Sequence, residues 1–453
     1  MLSRATLRET LFPSPLPSSR TLPRWEAGLL VTSLLAVGTI LALLRLGWSA
    51  PLKTIWAEDG PIYLQGALTQ GFFDAIFTPY AGYLVLVPRL IAEAATLVPL
   101  EQAPAAISIL SALLAALSAL AVWHGSGGHV QNPYLRGGLA LALLLVASAG
   151  EETLLSAAYV PWYMLIGTFW LLFWHPKTNA GAALGGLFML ATGLSTPGVW
   201  FFMPVALLRA ATIRGARDAT LVVSFMLGAV IQVPVLLAQE QGESLWTAHI
   251  WTAYLQRVLD AGIFGQDIGG ELWEAFGWGF LIVLLAAAVG GLVWALWRSR
   301  PSARWFGATA VLASLAIFVF SVYQRSVGLN IFWSPDTSGG VAGRYVLVPA
   351  LLLLSAVVVF VDGAVRDRRR PTGFSWPVAV TLGMIVLAVV TSYDMRLAGF
   401  RDGPYWEDAL RTAADKCLSQ GESLAGIETA PPPFGVQISC DEAAPFASPG
   451  VSR

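Results

Sequence analysis

Two adjacent carboxylates, Glu58 and Asp59, are the residues of this chain best suited to chemistry. They follow Trp56, precede a Gly60-Pro61 turn, and lie in the loop after the first long apolar segment. A carboxylate beside a cavity can accept a proton from a hydroxyl or bind a cation. The alternative is a solvated acidic turn, in which both acids favour the N-terminal dipole of a helix beginning near Pro61.

Further charged residues lie at the ends of later apolar segments. Arg344 and Tyr345 open one such segment after a glycine-rich approach, and an arginine there can hold a phosphate through two N–H groups. The alternative for Arg344 is a side chain that extends along its helix to the interface. Glu151 and Glu152 lie where another apolar segment ends, so they either cap a helix or face a water-filled cavity.

Arg89 and Glu93 lie one helical turn apart in the apolar stretch Tyr83–Val98. Side chains at this spacing meet on one helix face, so we expect a structural ion pair. A charge at mid-bilayer costs about 2.5–3.5 kcal/mol, and Pro88, Arg89 and Glu93 all lie within these sixteen residues. We therefore predict a re-entrant or interfacial helix here and not a membrane span.

The composition predicts an all-α, polytopic membrane protein. Hydrophobic residues are 56% of the 453 and charged residues 12%, with a mean hydropathy of +0.65. Soluble domains are about one quarter charged. Several apolar runs reach the length of about 20 residues that crosses a bilayer. The net charge of -1 identifies no partner, because charges in such proteins are sorted by membrane side.

About eleven transmembrane helices are predicted, with the N-terminus inside and the C-terminus outside. With this count the arginine clusters fall on the cytoplasmic side, as the positive-inside rule requires, and a twelfth span at Tyr83–Val98 breaks that pattern. The predicted spans are Ala27–Leu44, Pro104–Trp123, Gly137–Ala149, Val160–Trp174, Gly181–Leu194, Gly198–Leu208, Ala219–Ala238, Gly277–Trp297, Trp305–Tyr323, Tyr345–Val361 and Pro377–Ser392.

These spans divide the chain into three parts. Residues 1–24 are expected to be a disordered cytoplasmic tail before an uncleaved signal anchor. Residues 25–392 form the transmembrane domain, whose first outer loop (45–101) carries the candidate acids. Residues 393–453 form a small extracytoplasmic tail with the two cysteines of the chain, Cys417 and Cys440. A disulfide between them is expected in an oxidising compartment and would stabilise the tail by about 3 kcal/mol.

The sequence offers little for other kinds of site. Three of the four histidines fall on the cytoplasmic face, so no transition-metal cluster is predicted. No nucleotide-binding glycine loop is present, and no nucleic-acid partner is expected. We assign no metal site, although Mg²⁺ or Mn²⁺ needs only oxygen ligands and stays possible as a cofactor. The predominance of arginine over lysine, with abundant Ala and Gly, indicates a high-GC bacterial genome. We expect a polytopic helical protein of this origin in the inner (plasma) membrane.

The order of these features resembles the GT-C superfamily, the integral-membrane glycosyltransferases that use polyprenyl-phosphate-linked sugars. A signal anchor is followed by a long outer loop with an acidic pair near its start, a membrane-hugging helix and further spans. The residues that carry the resemblance are Trp56 to Arg89, Glu151-Glu152, Ser195-Thr196-Pro197, Gly343-Arg344-Tyr345, and Trp406, Cys417 and Cys440 of the tail.

The resemblance implies an inverting transfer of a sugar from a polyprenyl-phosphate donor to an extracytoplasmic glycan or lipid-linked acceptor. In that reaction a carboxylate takes the acceptor proton and a cation stabilises the leaving phosphate. Asp59 is the implied general base, with Glu58 second. The implied substrate-binding residues are Arg344 and Tyr345 at the phosphate, Arg89 as a weaker phosphate ligand, Glu151 or Glu152 as a second acidic contact, and Trp56.

Two other classes of function stay open. A transporter or flippase for lipid-linked sugars would have functional polar residues at broken helices near the bilayer midplane. A non-catalytic scaffold for envelope assembly would have an ordinary exposed turn at Asp59, with no cavity beneath it.

Overall fold

The computed structural model describes residues 4–15, 23–47, 49–145, 153, 155–238, 249–264, 266–325, 343–366, 375–390, 403–420 and 423–448, most of them helical. The helices are α1 (Arg4–Leu11), α2 (Arg24–Leu44), α3 (Gln65–Thr69), α4 (Phe72–Phe77), α5 (Leu86–Ala95), α6 (Ala103–Gly125), α7 (Pro133–Leu145), α8 (Val160–Leu171), α9 (Asn179–Gly193), α10 (Met203–Ala211), α11 (Ala216–Leu237), α12 (His249–Ala253), α13 (Ala261–Phe264), α14 (Gln266–Arg298), α15 (Pro301–Arg325), α16 (Arg344–Arg366), α17 (Trp376–Val390), α18 (Trp406–Gln420) and α19 (Cys440–Ala443). The described strands, β1 (Leu424–Glu428) and β2 (Gly435–Ser439), form an antiparallel hairpin.

Six of the described helices are long and apolar enough to cross a bilayer: α2, α6, α11, α14, α15 and α16. Helix α9 and the segment Pro197–Ala211 form a further apolar pair, bent by 118°. Helices α7 and α17 are apolar but shorter. Each predicted span overlaps a described helix, and the chain is a helical, multi-pass membrane protein. The count of eleven crossings and their orientation stay predictions.

Helix α8 lies at the centre of the bundle. All of its residues except Trp162 are buried, and it packs against α6, α9 and α16. A Cβ atom at Gly125 would lie 2.5 Å from the Trp170 carbonyl oxygen, so the glycine allows α6 to approach α8 closely. Because α8 is buried, the N–H groups of its first turn need acceptors from within the protein.

Helix α5 corresponds to the predicted re-entrant helix. Its ten residues give a length of about 15 Å, roughly half of the hydrocarbon thickness. The Leu86 N–H donates to the Leu194 carbonyl (3.1 Å), and the Val87 N–H donates to Ser195 Oγ (2.9 Å). Helix α5 therefore packs inside the protein, against the bend between α9 and Pro197–Ala211.

The predicted ion pair between Arg89 and Glu93 is absent from the salt bridges of the described residues. Arg89 Nη1 instead donates to the Ile62 carbonyl (2.8 Å), and its guanidinium lies 5.4 Å from the centroid of the Tyr63 ring. Gly66 leaves room for this contact, since a Cβ there would collide with Arg89 Nη1. Arg89 thus anchors the backbone that follows the acidic pair.

The N-terminal segment is ordered where disorder was predicted. Arg8 of α1 pairs with Asp218, which also pairs with Arg209 (2.9 Å). Phe12 is 2% exposed, and its ring centroid lies 5.3 Å from the Arg209 guanidinium. The prediction of a disordered tail is wrong for these residues, because one arginine and a short apolar stretch are enough to dock the segment.

We expect Phe12→Ala to lower the free energy of unfolding by about 3–5 kcal/mol, the cost of a cavity at a buried aromatic site. Thermal unfolding of the detergent-purified full chain measures the effect. Glu9→Ala, at an exposed position of the same N-terminal segment, is the matched control and should stay near wild type. Equal unfolding temperatures for wild type and Phe12→Ala would contradict the docked N-terminal segment.

Candidate active site

Asp59 caps the first turn of the central helix. Its carboxylate accepts hydrogen bonds from the Ala157 N–H (2.9 Å), the Ala158 N–H (2.9 Å) and Ser156 Oγ (3.1 Å). Ala157–Tyr159 is a short 3₁₀ turn that leads directly into α8. A carboxylate at this position meets N–H groups that have no partner within the helix and the positive end of the helix dipole.

The environment of Asp59 is closed. The residue is 1% exposed, and three of the roughly four acceptor sites of its carboxylate are occupied by protein donors. Burial raises the pKa of Asp59 to about 7, although the three hydrogen bonds oppose this rise. Asp59 is therefore well placed to connect the first outer loop to α8 and poorly placed to meet a hydroxyl from outside.

Glu58, the neighbouring acid, has a different environment. It is only half-buried, and its Oε2 accepts a hydrogen bond from the Tyr159 hydroxyl (3.0 Å). The same hydroxyl accepts a hydrogen bond from Arg344 Nη1 (3.1 Å). A carboxylate, a phenol and a guanidinium thus form a continuous chain, which we call the Glu58–Tyr159–Arg344 chain.

Two aromatic rings lie close to the guanidinium of Arg344. Its Cζ lies 5.4 Å from the ring centroid of Tyr159 and 5.1 Å from that of Tyr345. The Tyr345 ring in turn lies edge-on to Trp162, with centroids 5.8 Å apart. Such contacts attract a cation to the ring faces and restrict its rotamers. Arg344 is therefore fixed at the end of the chain.

The structure brings together only some of the residues that the sequence singled out. Glu58, Asp59, Arg344 and Tyr345 converge at the start of α8. Tyr159, which joins two of them, was not identified as a site residue from the sequence. Its position directly before the Val160-Pro161 helix start was the available signal, because proline in the first turn marks where a helix begins.

The remaining predicted site residues are not part of this cluster. Arg89 contacts the backbone behind the acids, as described above. Trp56 is half-buried and forms a β-bridge with Ala430 of the tail. Glu151 and Glu152 lie outside the described residues.

The described residues do not suit a divalent cation. No group of three or more His, Cys, Asp or Glu side chains that could hold a metal occurs among them. Asp59 faces N–H and O–H donors, which a cation would have to displace.

Comparison with known proteins gives a match at the level of solved structures. No protein-family model matches the chain, and no curated protein does. The archaeal oligosaccharyltransferase AglB from Archaeoglobus fulgidus, solved with an inhibitory peptide and a dolichol-phosphate, matches 86% of this chain with 14% identity and a TM-score of 0.39. The chain covers 58% of that protein's length.

The two adjacent acids should differ in their effect on stability. Asp59→Asn places an amide NH₂ group among three donors, so we expect the free energy of unfolding to fall by about 2–5 kcal/mol. Glu58→Gln keeps an acceptor for the Tyr159 hydroxyl at a half-buried position and should change it by less than about 1 kcal/mol. Thermal unfolding of both purified variants makes the comparison. A larger loss in Glu58→Gln than in Asp59→Asn would contradict the assigned environments.

Proposed function

We propose that this protein is an inverting GT-C type glycosyltransferase, in which Glu58 is the general base and Arg344 holds the phosphate of a lipid-linked sugar donor. The observation that carries the proposal is the Glu58–Tyr159–Arg344 chain, which places a proton acceptor and a fixed cation on the two sides of one hydroxyl. The transfer of a sugar from a phosphate to a hydroxyl needs these two groups close together.

The reaction is a single displacement at the anomeric carbon. The acceptor oxygen forms a bond to that carbon while the bond from the carbon to the phosphate oxygen breaks. Glu58 takes the acceptor proton, and the electron pair of the broken bond stays on the phosphate, whose charge Arg344 stabilises. Attack opposite the leaving group inverts the anomeric configuration.

This assignment differs from the order that the resemblance implied, in which Asp59 was the first choice for the base. The burial of Asp59 and its three protein donors favour a positioning role, in which it fixes the first loop against α8. Glu58 is the acid of the pair that an acceptor can reach. The donor is proposed to be a polyprenyl-phosphate sugar, and the acceptor a glycan or lipid on the extracytoplasmic face.

The alternative functions fit these contacts less well. A transporter needs polar groups at broken helices that are available to its cargo. At the break after α9, Ser195 Oγ accepts a hydrogen bond from Val87, and Leu194 accepts one from Leu86, so protein backbone occupies these groups. A scaffold would have an exposed turn at Asp59, whereas this residue is buried.

The first test is the transfer of radiolabelled sugar from a panel of polyprenyl-phosphate donors to membrane glycans by the purified full chain. We expect wild type to transfer and Glu58→Gln to lose about 10²–10⁴-fold in kcat, the usual contribution of a general base. The anomeric configuration of the product should be opposite to that of the donor.

Each result of this experiment has a defined meaning. Full transfer activity in Glu58→Gln would exclude Glu58 as the base. Loss of transfer activity in Asp59→Asn, with an unchanged unfolding temperature, would assign that role to Asp59. A product with retained configuration would exclude the single displacement. No transfer by wild type from any donor would overturn the proposed enzyme and turn attention to lipid flipping.

A second test compares two tyrosines that flank Arg344. Tyr159→Phe keeps the ring beside Arg344 but removes the hydroxyl that links it to Glu58, so we expect kcat to fall by about 10–100-fold. Tyr345→Phe also keeps its ring, but the hydroxyl that it removes is not part of the Glu58–Tyr159–Arg344 chain. We therefore expect the fold-loss of kcat in Tyr345→Phe to be at least about tenfold smaller than in Tyr159→Phe. Steady-state kinetics of both variants give the answer, and equal losses would contradict a role for the chain.

A further inference from the structure

The extracytoplasmic tail contacts the backbone on both sides of Trp56. The Ala430 N–H donates to the Ile55 carbonyl (3.0 Å), and the Ala57 N–H donates to the Ala430 carbonyl (2.5 Å). This pair of hydrogen bonds forms a parallel β-bridge between Ala430 and Trp56, two residues before Glu58. The tail therefore fixes the backbone that carries the proposed base.

Ala57 has a strained backbone conformation. Its φ angle is 44°, in the left-handed region that costs a non-glycine residue about 1–2 kcal/mol. Ala57 lies between Trp56, which the tail holds, and Glu58, whose carboxylate reaches Tyr159. A strained residue at this point persists only if the surrounding contacts hold it. The hydrogen bond from its own N–H to Ala430 is such a contact.

Gln65 makes a second connection to the tail. Its Nε2 donates to the Gln437 carbonyl (2.9 Å), and its Oε1 accepts from the Gln437 N–H. A side-chain amide that pairs in both directions with one residue imitates a neighbouring strand, so Gln65 extends the hairpin at β2. Between this contact and the bridge, Gly60 packs tightly, since a Cβ there would lie 3.1 Å from side-chain carbons of Thr429 and Val436.

The tail is built as a unit that can hold these contacts. Cys417 of α18 and Cys440 of α19 form a disulfide, and α18 packs against β1. Trp406 is 1% exposed; its backbone N–H donates to the Lys53 carbonyl (2.8 Å), and its indole N–H donates to the Leu100 carbonyl (2.7 Å). The tail thus contacts the first outer loop near both ends of that loop.

We propose that the tail is a positioning element for the proposed base, in which the Ala430 bridge and the Gln65–Gln437 pair hold Ala57 in its left-handed conformation and so direct Glu58 toward Tyr159. Gln65 is a positioning residue: it acts through the backbone of the loop and touches no substrate. The catalytic consequence rests on the proposed function, whereas the effect on the loop backbone does not.

The experiment compares Gln65→Ala with Gln437→Ala in the full-length protein. Both changes remove a glutamine side chain at the same contact, but only Gln65→Ala removes its hydrogen bonds, because Gln437 uses its backbone. Hydrogen exchange of the peptide that contains the Ala57 amide should become at least about fivefold faster in Gln65→Ala and stay at the wild-type rate in Gln437→Ala. Unchanged exchange in Gln65→Ala would overturn the proposal, whatever the activity of the protein.

The kinetic arm measures sugar transfer by the same variants. We expect Gln65→Ala to lower kcat about tenfold with KM for the donor changed less than about twofold, since the base is misdirected while the phosphate site stays intact. Adding Ala57→Gly should restore part of kcat, because glycine adopts a positive φ without strain. An equal loss with and without Ala57→Gly, or a change in KM alone, would overturn the positioning role.

The two arms separate this proposal from the proposed function. If wild type transfers no sugar, the hydrogen-exchange result still decides whether the tail holds the loop. If wild type transfers sugar but Gln65→Ala has wild-type exchange and kcat, the tail is not the positioning element, and the proposed function is unaffected.

Discussion

The N–H groups of the 3₁₀ turn Ala157–Tyr159, directly before α8, impose the constraint on which the candidate site depends. Ala157 and Tyr159 are buried, as is α8 itself, so these N–H groups need acceptors from within the protein. Asp59 supplies the acceptors and in doing so ties the first outer loop to α8. Because Glu58 precedes Asp59 and Tyr159 follows Ala158, the same contact brings the second carboxylate to the phenol. The geometry at Glu58 is thus a consequence of how the bundle satisfies a buried helix end.

The contact between Asp59 and Ala157 also limits the topology. The two residues must lie on the same side of the membrane, and if α6 and α7 each cross once, α5 cannot cross as well. Two contacts at the other end of the bundle also join residues that must lie on the same side of the membrane. The Asn132 N–H donates to Asp362 (2.7 Å), and Arg8 pairs with Asp218. Each of these pairs is separated in sequence by an even number of the predicted spans, which is what a contact on one side of a membrane needs.

The sequence predicted the helices and the convergence of charge better than it predicted individual contacts. Apolar runs identify helices because each must match the bilayer, and Glu58 and Arg344 stand out because charge is rare in such a chain. The spacing within the helix predicted that Arg89 pairs with Glu93, but the guanidinium donates a hydrogen bond to the Ile62 carbonyl. Tyr159 was missed because its role comes from two partners distant in sequence. Local sequence patterns predict contacts between residues that are close along the chain. The partners of Arg89 and Tyr159 are distant in sequence, so they depend on how the helices and loops pack.

The order of the two acids has a physical reason. A short side chain is the better acceptor for the first N–H groups of a helix, because it holds its oxygens close to the backbone. Asp59 occupies that place, whereas Glu58, one methylene longer, reaches across to Tyr159 from a half-buried position. A buried acid that accepts from three donors can fix a loop without exchanging protons with a substrate. In the proposed mechanism the two adjacent carboxylates therefore have different roles, in the reverse of the order that the resemblance implied: Asp59 fixes the loop and Glu58 is the base.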